Sequence, residues 1–306
     1  MITWTRTLRQ SGITAPDLHT AYGQQRSLVR RFKTEEYLTV RLLLPTPLHP
    51  PVIAAAAFMH ETDTRIDTGR TEARRTALGE WAAVTRKALE GAPASDATLR
   101  ALTDAAVRHP QLKRRVEDFL HGARHEVDYA GFATEDELQG YVDGYSLPAF
   151  MLVASLLDLA PAAEHDAFED GCRDLIEAMQ RVDFLEDLAE DAAQGQVGIP
   201  DAELGRHGLS LADLLAPTDT VRSELEQLIQ EQVELARPRL SASTRLVPLV
   251  AQQNRPFITA LLRVQELRLS AVSKKGGRLT DGGARPSVPS LLGVLARQYR
   301  ASRQAR

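Results

Sequence analysis

The chain has 306 residues, 43% hydrophobic and 25% charged, with a formal net charge of −4 and one cysteine, Cys172. Such a chain can bury a sizeable core, lacks the basic excess expected of a nucleic-acid binder, and can form neither an internal disulfide nor a cysteine metal cluster. The N-terminal MITWTRTLRQ has no apolar signal core, and the longest apolar run, Val52 to Met59, is too short to span a bilayer, so a cytoplasmic protein without stable membrane insertion is expected.

Helical periodicity built on Ala, Leu, Glu and Arg recurs along the whole chain, and alternating β-branched segments are nearly absent. In chain order the pattern predicts helices over 16–31, 35–44, 49–67, 70–91, 96–108, 110–126, 134–159, 163–192, 217–240, 245–272 and 288–302. Breaks fall at 45–51, 91–95, 195–200 and the Gly/Pro-rich stretch 276–289, none of them long enough for a domain linker. The expectation is an all-α chain with one domain over 1–306, and the RQYRASRQAR tail reads as a solvated helix end.

Two of these helices carry acid clusters stepped by four: Asp63 and Asp67 in the third, Asp183, Asp187 and Asp191 in the eighth. A helix turns about 400° in four residues, so each set forms a carboxylate ladder on one face. That face continues an apolar stripe, Val52, Ala56 and Met59 before Asp63, and Cys172, Ile176 and Met179 before Asp183. On a solvated face like charges at this spacing cost a few tenths of a kcal/mol. Turned inward, they are expensive unless protonated or neutralised by cations. Mg²⁺, which takes oxygen ligands and binds carboxylates together with phosphate oxygens, is the expected cofactor, and a diphosphate the expected substrate group. Metal ions on an allylic diphosphate would favour cleavage to an allylic cation, which needs a dry cavity; Met59, Met179 and Phe184 are candidate walls. The competing reading is two solvated acidic faces.

Three segments, HETDTRID, TEDELQGYVDGY and QRVDFLEDLAED, resemble the DxxxD, ELxGYxxG and NxxxDxxxD segments of the squalene/phytoene synthase family, and the similarity extends over about residues 30–275. The resemblance implies an isoprenoid-synthase-like helical bundle around a central cavity. It implies Mg²⁺ held by Asp63, Asp67, Asp187 and Asp191, with Asp183 assisting at a position where the family usually has Asn. Gln180 and Lys274 would orient the diphosphate, and Tyr141 stands at the family tyrosine. The chain also departs from the pattern. His60 replaces a usual Arg, FKTEEY with Lys33, Glu36 and Tyr37 replaces a segment with His and a Ser-Phe pair, and Gln196 replaces a loop Arg. Each lost guanidinium is a lost bidentate phosphate clamp, so a second diphosphate site is expected to be dismantled. YSLPAFM places Tyr145, Leu147, Pro148 and Phe150 where the family tends to have small residues, which implies a shorter or flatter substrate.

These departures point to a Mg²⁺-dependent prenyltransferase that ionises a short allylic diphosphate, dimethylallyl diphosphate being the expected one, and C-prenylates an aromatic acceptor. In this it resembles the squalene-synthase-like carbazole prenyltransferases of secondary metabolism. Three alternatives stand: head-to-head condensation of two prenyl diphosphates, terpene cyclisation, and a non-catalytic helical interaction protein. Individual residues also keep plainer readings, His60 as a structural histidine, Lys33 as a solvated helix end, Tyr37 and Tyr141 as core aromatics, and Lys274 as part of a Gly-flanked loop. The group that removes the final proton is open among the carboxylates, His60 and the released diphosphate.

Overall fold

The computed structural model describes residues 3–304. Among them the regular structure is helical, with one isolated antiparallel bridge between Leu159 and Val250. The N-terminal half comprises α1 (Trp4–Gln10), α2 (Pro16–Phe32), α3 (Thr34–Leu43), α4 (His49–Ile66), α5 (Thr71–Leu89), α6 (Ala97–Arg108), α7 (Gln111–Asp128), α8 (Glu135–Tyr141) and α9 (Leu147–Ala154). The rest comprises α10 (His165–Glu186), α11 (Leu188–Ala193), α12 (Asp201–Arg206), α13 (Leu211–Leu215), α14 (Asp219–Ala242), α15 (Leu246–Leu249), α16 (Arg255–Lys275) and α17 (Val288–Gln304).

Helix α4 is the axis of the N-terminal half, and its composition explains why. Pro50 and Pro51 occupy its first turn, where missing N–H groups cost nothing, and 52–58 is apolar on every face, so α2, α5 and α6 pack around it. α10 plays the same part in the second half, packed by α14 and α16, while α9 touches α4, α7 and α10 and joins the two groups. One hydrophobic cluster runs from Leu8 to Ala284 through most of these helices. No described helix is long and apolar enough to cross a membrane.

The structure corrects the predicted boundaries where proline intervenes. The helix expected over 134–159 is three pieces: α8, a π-helical segment Val142–Ser146, and α9. Pro148 has no N–H for the carbonyl four residues back, Gly144, and its ring would collide with that carbonyl. The chain answers by widening, with Leu147 N–H donating to the Val142 carbonyl five residues earlier. The segment also lies hard against α7, because a Cβ on Gly122 would stand 2.1 Å from the Gly144 oxygen, so only glycine fits there. The helix expected over 245–272 is interrupted at 250–254, where Val250 is extended and pairs with Leu159, with Pro248 and Pro256 on either side. α1, α12 and α13 are too short to show a helical period in sequence.

Candidate active site

Asp63 lies in the last turn of α4 and Asp67 caps its C-terminus, with Asp67 N–H donating to the Asp63 carbonyl at 2.8 Å. The second ladder crosses a helix break. α10 ends at Glu186, Asp187 sits at the junction, and α11 carries Asp191. The four-residue register survives the break, because Asp187 N–H donates to the Asp183 carbonyl at 2.9 Å and Asp191 N–H to the Asp187 carbonyl at 2.8 Å. Both ladders thus end at helix C-termini, where the backbone dipole already disfavours negative charge.

Electrostatics sets these acids apart from ordinary surface aspartates. Burial pushes Asp63 up to about 7, with Asp67 and Glu126 adding to the rise and a 3.0 Å hydrogen bond from the Tyr145 hydroxyl opposing it. Asp191 is pushed up to about 6 by burial, then by Asp187 and Glu190. Asp67 and Asp187 are raised too, first by desolvation although both reach solvent; Arg74 and His60 oppose the rise at Asp67, and Arg268 and Lys33 oppose it at Asp187. A site of carboxylates held away from their comfortable state is short of cations.

An aromatic wall lies beside the acids. Tyr141 is its hub, with ring centroids 5.3 Å from Tyr145, 5.4 Å from Tyr129 and Phe132, and 6.2 Å from Phe184. Tyr145 ties the wall to the first ladder through Asp63, and the field of Asp191 reaches Tyr129 from the second. The π-helical segment aims Tyr145, which makes Pro148→Ala informative. Restoring the N–H should let the segment revert to α-helix and swing Tyr145 off Asp63, lowering turnover roughly tenfold or more in a steady-state assay with little change in melting temperature.

The other predicted residues fall into distinct settings. His60 stacks on Phe32 at 3.7 Å between centroids and lies close enough to Asp67 to oppose its shift. Lys33, the next residue, is exposed, pairs with Glu36 at 3.8 Å and acts on Asp187. The α2–α3 junction therefore borders both ladders. Gln180 accepts from Ser146 at 2.9 Å, and Gln196 donates to the Tyr129 carbonyl at 3.3 Å, so both amides brace the wall. Phe150 packs against the wall cluster and the main core alike. Tyr37 is buried, its hydroxyl accepting from Arg26 at 2.9 Å. Lys274 is exposed near the end of α16, with no ion pair among the described residues. Asp183 differs from its ladder partners, because Arg268 of α16 donates to it and, at 3.1 and 3.2 Å, to Glu186.

Five contributors show no signal in the motifs: Arg268, Arg74, Glu126 and the wall rings Tyr129 and Phe132. Arg74 reaches the Ile66 carbonyl and, at 2.9 Å, the Glu126 carbonyl, locking α4 to α7 beside Asp67. Arg268 lies on the buried face of α16 with Gln265 and Val272, and Glu126 follows Gly122 on the buried face of α7. A charge continuing an apolar stripe is the signal that exposed the aspartates, and it was available for both.

The donor set fits Mg²⁺: every candidate ligand is a carboxylate oxygen, with no thiolate at the ladders. Among the described residues no three acid, histidine or cysteine side chains converge on one ion-sized point. Each ion would take one or two carboxylates and complete its shell with substrate and water oxygens. Surface grooves of about 810 Å³ between α16 and α17 and about 570 Å³ behind the π-helical segment contain none of the ladder residues.

The chain is 29% identical over 96% of its length to the bifunctional protein CrtB/UppS of Streptomyces coelicolor, of which it spans 54%, and 27% identical over 84% of its length to the phytoene synthase of Mycobacterium bovis, of which it spans 83%. The chain thus spans about half of the first of these relatives. Its fold matches a crystal structure of a dehydrosqualene synthase with ligand, with a TM-score of 0.78 at 20% identity over 97% of this chain and 99% of that one. It also matches the squalene synthase HpnC from Alicyclobacillus acidocaldarius, with a TM-score of 0.74 at 22% identity over 90% and 99%. Residues 29–291 match the squalene/phytoene synthase family, and the chain belongs to it.

Proposed function

We propose that this chain uses Mg²⁺ held by its two acid ladders to ionise an allylic prenyl diphosphate and transfers the allyl group to a carbon acceptor. The observation that carries this reading is the pair of carboxylate sets on α4 and α10–α11, raised by burial, with repulsion added at Asp63, Asp187 and Asp191, and both linked to one aromatic wall through Tyr145 and Tyr129. Bound Mg²⁺ would neutralise the diphosphate oxygens and so ease loss of the leaving group. Asp63 and Asp67 would hold one end of that arrangement, Asp187 and Asp191 the other. Lys33, beside Asp187, would add positive charge at the mouth. Asp183 would act through Arg268, keeping α16 closed on the site. The rings of Tyr141, Tyr145 and Phe184 would face the cation and exclude water that would otherwise capture it.

Two acceptors have support, from different sources. The names of the relatives, phytoene, squalene and dehydrosqualene synthases, favour a second prenyl diphosphate and head-to-head condensation. The side chains favour an aromatic acceptor such as a carbazole. His60 is stacked on Phe32 and Gln196 is bonded to the Tyr129 carbonyl, so neither supplies the guanidinium clamp that the family resemblance puts there, and five aromatic rings offer a stacking surface. The deciding experiment offers C5 to C20 prenyl diphosphates with Mg²⁺, with and without carbazoles and other electron-rich arenes, and analyses products by mass spectrometry. A C30 or C40 hydrocarbon from one diphosphate alone establishes condensation, and a prenylated arene establishes the second reading. In either case EDTA should abolish diphosphate release and added Mg²⁺ restore it; turnover that survives EDTA overturns the metal-assisted mechanism.

A further inference from the structure

Glu126 is a carboxylate that the two ladders do not explain. It sits near the end of α7, on the face that buries Phe119, Gly122 and Ala123 against the π-helical segment. Its Oε2 accepts a 2.5 Å hydrogen bond from the Tyr141 hydroxyl, within the range of a charge-assisted bond. Its backbone carbonyl is held by Arg74, so the side chain starts from a fixed point. The ring that Glu126 grips is the one packed against all four other members of the aromatic wall. Tyr141 is buried, and its hydroxyl is the only polar handle by which the ring can be aimed.

We propose that Glu126 is a positioning residue: its carboxylate fixes the phenol of Tyr141 and, through it, the aromatic wall against which the allylic cation forms. This rests on the diphosphate-ionising function proposed above. Asp63 takes the hydroxyl of Tyr145, and Glu126 takes the hydroxyl of Tyr141 four residues earlier, so the two neighbouring phenols of the wall are each held by a carboxylate. A carboxylate bonded to a phenol also raises the electron density of the ring, which strengthens its attraction for a cation on its face.

The test compares Glu126→Leu, Glu126→Gln, Tyr141→Phe and the doubles Glu126→Leu/Tyr141→Phe and Glu126→Gln/Tyr141→Phe. The measurements are kcat and KM for the prenyl diphosphate, and Mg²⁺-dependent pyrophosphate binding by calorimetry. Glu126→Leu is expected to lower kcat about 30-fold while KM and pyrophosphate affinity stay within about threefold, because the aim of the wall and not the diphosphate site has changed. Glu126→Gln, which keeps an acceptor for the phenol, should recover most of that loss. In Glu126→Leu/Tyr141→Phe the second change should add little, since both break one unit, whereas in the Gln background, where the bond persists, Tyr141→Phe should cost nearly what it costs alone. If Glu126→Leu does not fold, Tyr141→Phe alone, which breaks the same bond, should show the fall in kcat with unchanged pyrophosphate affinity. Pyrophosphate affinity falling tenfold or more would make Glu126 part of the metal site, and additive losses in Glu126→Leu/Tyr141→Phe, or an unchanged kcat in Tyr141→Phe, would mean that it does not act through Tyr141; each of these outcomes overturns the proposal. Absence of Mg²⁺-dependent pyrophosphate binding in the unsubstituted chain would sink the proposed function itself, a result distinguishable from both.

Discussion

Asp63→Asn is expected to cut turnover by about a thousandfold or more while making the metal-free protein more stable at alkaline pH. The two effects share a cause. Asparagine is a poor Mg²⁺ ligand, so loss of one of the few carboxylates available should remove several kcal/mol of metal-assisted leaving-group stabilisation. In the metal-free chain the same carboxylate is a burden. Its folded pKa is raised to about 7, above the ordinary 3.8, so between these values the folded state keeps a proton that the unfolded state has released. Stability is therefore fully present below about pH 4, falls as pH rises through that window, and carries the whole penalty above about pH 7. Asparagine avoids that penalty and still accepts from Tyr145, so the substituted chain should be more stable by on the order of 1–3 kcal/mol at pH 8, with little advantage below pH 4. Urea unfolding at the two pH values and a diphosphate-release assay measure both halves. Equal stability at pH 8 would show that Asp63 carries no burial penalty, and turnover within tenfold of the unsubstituted chain would show that it is not a ligand. Asp67→Asn, at an exposed carboxylate, should share the loss of turnover with a smaller gain in stability.

The contrast between α10's two charged faces shows how much of the site could be read from sequence. Asp183, Asp187 and Asp191 repeat one sign on a stripe that continues Cys172, Ile176 and Met179, and nothing in the sequence compensates them locally, so an external cation was the economical reading. Arg173, Glu177 and Arg181 have the same spacing but alternate in sign, which predicts a structural set satisfied by its own members and its neighbours, and that is what they form. What the sequence withheld was long-range. Arg268 meets Asp183 across 85 positions and Tyr145 meets Asp63 across 82, pairings that depend on helix packing and leave no local period. The π-helical segment was partly legible, since Pro148 inside an otherwise helical pattern demands a defect, but proline alone does not tell a kink from a widened turn or say which side chains it will aim.

Glu177→Ala is expected to be the most destabilising single substitution of a charged residue in this chain, at about 3–5 kcal/mol. The side chain is 3% exposed and serves as the hub of a polar cluster. It pairs with Arg181 at 3.3 Å, with Arg239 of α14 at 3.0 Å and with Arg173, and it accepts from Gln139 of α8 at 3.1 Å. Removing it leaves buried Arg181 with Gln232 and Glu135, Arg173 with Asp143 and Arg239 with Asp174, so the three arginines lose the one carboxylate that they share. Leaving the buried Arg181 charge under-compensated costs far more than the intact cluster contributes relative to apolar packing, so the large loss is chiefly a statement about Arg181. Glu177→Gln, which keeps an acceptor but no charge, should cost roughly half as much. The cluster also fixes the rotation of α10 against α8 and α14, and so aims the second ladder on one side and the lead-in to Tyr141 on the other. The destabilised chain should therefore bind Mg²⁺-pyrophosphate more weakly even under conditions where it is fully folded, by roughly tenfold for a 1 Å displacement of the ladder. A shifted urea midpoint at constant denaturant slope, together with weakened pyrophosphate binding, would confirm both roles. Lost stability with unchanged binding would show that the second ladder takes its orientation from Arg268 and α16 instead.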